Sequence, residues 1–308
     1  MRINNIKTTP VYTQKQQKTL SLPKLNTDTV SFGNKVDFLN LPKEVIFRRL
    51  NKALQNPDNF LGMGSEAVIY KIPGTDYCFR IPYLDNEGYV LTKWDSFFSK
   101  DVNKAERINH IVANLGQGAS VMNKIDGEPI SLILPAHKCL LDFPLGSFQK
   151  LIRQIQQAKE NNLVFDSCCA NIIYNNETKN IVAIDFNESY KKSELNYNIL
   201  NKIHSVISFS FDEKESLRLA NKLLLATLNE FGHTTDIDKI KCFEFINYIQ
   251  TTHPHANPKT YSDLKEKFEN IELLNTALKN KQDVKTELSK LISETKQILQ
   301  RNIQKETK

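Results

Sequence analysis

Asp166, Asn171 and Asp185 stand in one short stretch, FDSCCANIIYNNETKNIVAIDF, Phe165 to Phe186. Asp166 and Asn171 are separated by four residues, on a loop expected between a helix and a strand. That spacing lets a carboxylate face a hydroxyl while an amide oxygen ligates a metal. Asp185 ends a short apolar run, Ile181 to Ile184, where a buried backbone can hold its carboxylate against Mg²⁺. About a hundred residues earlier, LGMGSEAVIYKI (Leu61 to Ile72) carries Gly62 and Gly64 in an alternating apolar run. It reads as a strand-turn-strand hairpin whose backbone N–H groups can approach phosphates closely. Singly, each piece is ordinary: glycine-bearing hairpins are common, and Asp and Asn often only cap turns. The joint order, glycine hairpin, helix, Asp-x4-Asn, apolar strand, Asp-Phe, suits phosphoryl transfer from ATP-Mg.

The elements that must position these residues are legible in the periodicity. LPKEVIFRRLNKALQ (Leu41 to Gln55) sets Val45, Leu50 and Leu54 near one helical face, with Pro42 suited to a first turn. Alternating segments at about 60–72 and 76–82 read as strands joined by PGTD, Pro73 to Asp76. A helix is expected at about 101–114, and a strand running into a turn at Asp126-Gly127 over Ala119 to Ile130. SFQKLIRQIQQAKENN (Ser147 to Asn162) is amphipathic, with Ser147 as its cap and Leu151, Ile155 and Ala158 as its inner stripe. LVF, a loop and NIIY then read as strand-loop-strand, and Asn175-Asn176 turn the chain before IVAIDF. Helical patterning resumes over about 195–209, 212–231 and 236–251, and HPHANPKTY (His253 to Tyr261) reads as a linker. Beyond it Leu264, Phe268, Ile271, Leu274 and Leu278, then Val284, Leu288, Leu291, Thr295, Ile298 and Asn302, keep helical spacing. That suits a helical hairpin or coiled-coil arm, and equally helices packed on their own domain.

This arrangement resembles the protein kinase-like superfamily, which includes eukaryotic-type protein kinases and small-molecule kinases such as the aminoglycoside phosphotransferases. The resemblance covers about residues 55–190, with helices to about 250 as the rest of the larger lobe. It implies a bilobal α+β fold. A disordered polar, basic tail would occupy 1–40, a small β-rich N-lobe and hinge 41–135, a helical C-lobe with the catalytic loop 136–252, and a C-terminal helical extension 253–308. Gly62, Gly64 and Val68 match the glycine-rich loop, Asp166 the catalytic base, and Asn171 and Asp185 the metal ligands. Arg80, in YCFRIP, stands where the phosphate-pairing Lys is usual, and IDGEPI (Ile125 to Ile130) looks like the stretch after the hinge in small-molecule kinases. The acidic partner of Arg80 should lie on the helix before the fourth strand, with Glu106 the candidate and Glu87 the reserve.

Several positions depart from the pattern. Ala67 replaces the third loop glycine, and alternation puts Lys71 on the face opposite Val68. Val164-Phe165 stand in place of His-Arg, so the Arg that reads activation-loop phosphorylation is missing. Cys168 sits where protein kinases usually carry Lys, Asn187 follows Asp185-Phe186 in place of glycine, and no Ala-Pro-Glu motif follows.

Composition bounds the rest. The 308 residues, 40% hydrophobic and 25% charged, suit a soluble globular protein large enough for two lobes. No apolar run reaches the ~18–20 residues that span a bilayer, so no membrane span is expected, and the N-terminus has no apolar core of secretory type. The net charge of +6 is uneven: residues 1–34 carry Arg2, Lys7, Lys15, Lys18 and Lys24 against Asp28 alone. That stretch lacks the apolar mass to offset ordering entropy and reads as disordered; acid-poor polar tails also occur as secretion leaders. With no basic face interleaved with aromatics, a nucleic-acid partner is not expected. Five cysteines without CxxC spacing point to a reducing compartment. The expectation is an ATP-Mg-dependent kinase acting on Ser/Thr of a protein, cytoplasmic or delivered by a bacterium into a host cell as an effector. The alternatives are a pseudokinase or nucleotide-binding scaffold acting through its C-terminal helices, which would bind a partner, and a kinase with a small-molecule acceptor.

Overall fold

The computed structural model describes residues 38–64, 66–83, 97–130, 135–189, 191–254, 256–277 and 282–306. The tail expected at 1–34 and the reserve candidate Glu87 lie outside these residues. Helix α1 (Lys43–Leu54) starts after Pro42 and turns Ile46, Leu50 and Ala53 inward. Phe38, which precedes the expected start at residue 41, is fully buried in the same core.

The alternating stretch that follows forms β1 (Phe60–Met63), β2 (Ala67–Lys71) and β3 (Tyr77–Pro82). The expected turn at Pro73–Asp76 joins the last two, closed by hydrogen bonds from Ile72 N to Tyr77 O (3.0 Å) and from Thr75 N to Ile72 O (3.2 Å). Helix α2 is short (Lys104–Ile108), with Asn103 and Glu106 capping its first turn reciprocally. The helix expected to reach 114 gives way to strand β4 (Ile111–Gly116), which pairs with β5 (Ala119–Asn123). The apolar spacing of Ile108, Ile111 and Val112 mimics a helix. His110, in a left-handed conformation at φ 63°, ends α2, and the β-branched pair enters the sheet.

These strands make one antiparallel sheet in the order β1-β2-β3-β5-β4. Directly opposed residues share a face, and Val68 lies opposite Ile81 and Tyr70 opposite Phe79. Val68, Phe79, Ile81, Ala119 and Val121 pack with α1 into the first hydrophobic core.

A second, larger core is helical. Strand β6 (Glu128–Pro129) leads through a 3-10 segment, Pro135–Asp142, to helix α3 (Leu145–Glu160). Leu151, Ile155 and Ala158 are buried as expected. Ser147 is not the cap. The helix begins two residues earlier, after Pro144, and the Ser147 hydroxyl donates to the Lys179 carbonyl. Four short strands follow, β7 (Leu163–Phe165), β8 (Ile172–Asn175), β9 (Asn180–Ala183) and β10 (Phe186–Glu188). β7 pairs with β10, and β8 lies between β6 and β9. Helices α4 (Ile199–Ile207), α5 (Glu213–Phe231), α6 (Ile237–Ile240), α7 (Cys242–Thr252), α8 (Pro258–Ala277) and α9 (Gln282–Lys305) complete the chain.

α5 is the central post, with Leu219, Leu223, Leu224 and Leu228 each fully buried. Burying such a side chain stabilises the fold by about 1.5–3 kcal/mol. Of the two arrangements open for the C-terminal helices, they pack on their own domain: Phe268, Ile271, Leu288, Ile292 and Leu299 are buried in the helical core. The molecule is thus mixed α+β, with two hydrophobic cores inside one compact unit, Phe38–Lys308. Among the described residues no helix is long and apolar enough to cross a membrane.

Candidate active site

Two antiparallel ladders bring the three chemistry-bearing residues together. Phe165 pairs with Phe186, so Asp166, just after β7, adjoins Asp185, just before β10. The Asp166 N–H donates to the Asp185 carbonyl at 3.3 Å. In the other ladder Ile172 pairs with Ala183, and the Ile184 N–H donates to the Asn171 carbonyl at 2.8 Å. Asn171 Nδ2 lies 3.1 Å from Asp166 Oδ2, 3.3 Å from the Asp166 carbonyl and 3.5 Å from Asp185 Oδ2. One amide therefore joins both carboxylates through its Nδ2, and Oδ1 is the atom of this side chain that could ligate a metal.

Two further side chains fix the backbone of this loop. Gln154, on α3, accepts from the Ala183 N–H at 3.0 Å and donates to the Ala183 carbonyl at 2.8 Å. Asn109, which closes α2, treats Phe186 the same way, accepting from its N–H at 2.9 Å and donating to its carbonyl at 2.8 Å. Between these clamps Asp185 adopts φ 63°, a left-handed conformation that strains a residue with a Cβ by about 1–2 kcal/mol. Such strain persists where the surroundings over-determine the backbone, and it concentrates at functional sites.

The sheet supplies the opposite wall. Arg80 donates from Nη2 to Glu66 Oε2 at 3.2 Å and from Nη1 to the Gly118 carbonyl at 3.3 Å. Its ion-pair partner is thus Glu66, beside the glycine hairpin, and not Glu106. Both Glu106 carboxylate oxygens are engaged elsewhere, by the Asn103 N–H at 2.6 Å and by Asn114 Nδ2 at 3.0 Å. Val68 is also displaced from its expected role. It is buried in the sheet core opposite Ile81, whereas Ile69 lies opposite Arg80 and shares its face, as does Lys71. Gly62 lies within β1, opposite Ile69, and Gly64 just beyond its end, and a Cβ added to either would meet nothing within 4 Å. A separate hollow lined by Asn56, Lys71, Gly74 and Lys124 sits at the β2–β3 turn and contains none of the site residues.

The electrostatics tie the two walls together. Burial raises the Asp185 carboxyl above the usual aspartate range, and the neighbouring Asp166 and Glu66 carboxylates add to this; Arg80 and the Asn171 amide pull it back. Crowded carboxylates of this kind are relieved by a cation. The donor set, two carboxylates and an amide oxygen, is the hard oxygen chemistry that Mg²⁺ takes. Among the described residues no three His, Cys, Asp or Glu side chains form a self-contained metal cage. Mg²⁺ commonly uses only one or two carboxylates with water and phosphate, so the small set fits.

Compared with models of known families and with curated proteins, the chain gives no significant match to either. Its site residues therefore stand on their own geometry. Glu66, Ile69, Asn109 and Gln154 were not singled out from the sequence. A strict count of strand parity would have moved the choice from Val68 to Ile69; the other three depend on tertiary neighbours and leave no local mark.

Proposed function

We propose that this protein is an ATP-Mg-dependent phosphotransferase of the protein kinase-like kind, with the sheet and helical halves as its two lobes and Ser/Thr hydroxyls of a protein as acceptors. The observation that carries the reading is the meeting of Asp166, Asn171 and Asp185 through one amide, within electrostatic reach of Arg80. Asp166 orients the acceptor hydroxyl and takes its proton. Asn171 and Asp185 hold Mg²⁺, which when bound neutralises charge on the transferring phosphoryl group. Arg80 exchanges Glu66 for phosphate oxygens, which its forked guanidinium can grip in pairs. Gly62 and Gly64 need no special backbone conformation for the fold's sake, so glycine there serves the approach of phosphates to the hairpin. Asp166, Ser167 and Cys168 are exposed, an open ledge suited to an acceptor on another protein.

One observation favours a second reading, a nucleotide-binding scaffold. The only cation on the phosphate wall that the resemblance singles out, Arg80, is already paired with Glu66. The two readings separate on incubating purified protein with Mg²⁺ and γ-labelled ATP. The enzyme releases or transfers label, and Asp185→Ala reduces this by at least about a hundredfold. Mg²⁺-dependent nucleotide binding without turnover establishes the scaffold instead, and absence of both ends the kinase reading.

A further inference from the structure

Lys202, on α4, has no part in the assignment above, yet it reaches the same loop from beneath. Its Nζ donates to the Phe165 carbonyl at 2.6 Å, on the peptide that leads into Asp166. The ammonium also lies 4.4 Å from the centre of the Tyr197 ring, whose position is shared with Lys159 at 4.9 Å. We propose that Lys202 is a positioning residue of the phosphoryl-transfer site, anchoring the Phe165–Asp166 peptide and setting a positive charge beside the Asp166 carboxylate. The proposal rests on the kinase reading.

Its platform is rigid. Ile199, Leu200, Ile203 and Ile207 bury the opposite face of α4, and Asn198 caps the helix while donating to the Lys241 carbonyl at 2.8 Å. An ammonium carries three N–H groups. The Phe165 carbonyl takes one, and the others are left for Asp166 and the oxygens between it and the incoming phosphate. Burial pulls the Lys202 pKa below the usual lysine value, while the Asp166 carboxylate pushes it back. Lys222 shows what a purely structural lysine looks like here: it is 7% exposed and donates to two carbonyls, Leu141 and Phe143, at 2.6 Å each. A cation fixed beside developing negative charge is among the stronger aids to phosphoryl transfer.

The test compares wild type, Lys202→Met, Lys202→Arg and Asp185→Ala in steady-state turnover of γ-labelled ATP with Mg²⁺, alongside nucleotide binding and thermal unfolding. Lys202→Met should lower kcat by about ten- to a hundredfold while KM for ATP stays within about threefold, and Lys202→Arg should restore most of kcat. Wild-type kcat in Lys202→Met overturns the proposal. So does joint loss of kcat, ATP binding and thermal stability in both Lys202 variants, the behaviour of a structural peg. If wild type turns over no faster than Asp185→Ala, the kinase reading itself falls and this inference with it.

Discussion

On the helical side of the site, Asp166, Asn171 and Asp185 are held by two β-ladders and by the paired amide clamps of Asn109 and Gln154. On the sheet side, the glycine hairpin projects Phe60, Leu61 and Met63 into solvent at 44%, 48% and 69% exposure, and a Cβ added to either of its glycines would meet nothing within 4 Å. Arg80 there is held by an ion pair to Glu66, which is 78% exposed, and exposed pairs contribute only about 0–1 kcal/mol. The difference assigns work to each wall. Asp166, Asn171 and Asp185, the base and metal ligands of the proposed kinase, are preorganised by the backbone, so their geometry is set before any ligand arrives. Arg80 and the glycine hairpin are loosely held, so under the proposed kinase reading ligand binding must complete the phosphate clamp.

The sharpest way to break this comparison is Asn171→Ala. It removes the one amide joining both carboxylates on the preorganised side, and turnover should fall by about 10²–10³. The thermal unfolding midpoint should move little, because Asn171 is only partly buried. A variant that keeps turnover within a few-fold of wild type would show that the amide does not organise the site.

The helical side also contains His204, on α4, which is 1% exposed and packs against Phe245 and Tyr248 of α7. Its Nε2–H donates to the Ser216 carbonyl at 3.1 Å, and its Nδ1 faces the Ser208 hydroxyl at 3.3 Å. Burial lowers its pKa to about 4. The unfolded chain takes up a proton near pH 6.5 that the native state refuses until about 4, so stability present above pH 6.5 is lost as pH falls through that window. The full shift corresponds to about 3 kcal/mol. Glu272 and Glu306, both raised to about 7 by burial, act in the opposite sense, losing stability as pH rises from about 4.5. Denaturant titrations of wild type and His204→Gln from pH 7 to 4 isolate the histidine: the variant's stability should fall less steeply. Identical slopes would mean that His204 protonates freely in the native state.

Gln154→Ala probes the clamp alone. It leaves the Ala183 N–H without its side-chain acceptor and the carbonyl with only His110 Nε2, at 3.4 Å, which should lower stability by about 1–3 kcal/mol in chemical denaturation. If the proposed kinase reading holds, turnover of ATP should fall more than stability alone accounts for, since Ala183 lies two residues before Asp185.

Local periodicity made most of the scaffold readable. α3 buries the stripe that its 3.6-residue spacing sets out, α1 forms as expected but buries Ile46, Leu50 and Ala53 where the sequence pattern points to Val45, Leu50 and Leu54, and the Pro73–Asp76 turn lies where its residue types put it. β4 was hidden because Ile108, Ile111 and Val112 fit a helix as well as a strand; pairing with β5, a non-local event, decides. The order of Asp166, Asn171 and Asp185 suggested one site, and the ladders that join them follow from the short strands around each. The partner of Arg80 was not readable in the same way. Glu106 follows from a family pattern, whereas Glu66 reaches Arg80 only through the packing of one hairpin against the next strand. Asn109 and Gln154 are polar residues of helices, and nothing local separates a clamp from a solvated face.

The smallest expected effect bears most directly on the open wall. Gly62→Ala and Gly64→Ala each add a methyl group where no protein atom lies within 4 Å, at positions whose backbone does not require left-handed φ. Removing glycine's extra unfolded-state freedom gives a slight gain and strand-end geometry a slight loss, so net stability should stay within about 0.5 kcal/mol. If the hairpin closes over phosphates, the same methyl groups meet the ligand, and KM for ATP should rise several-fold while the unfolding midpoint is unchanged. A matched loss of stability and affinity would mean that the glycines serve the fold, and that the sheet side is as fixed as the helical one.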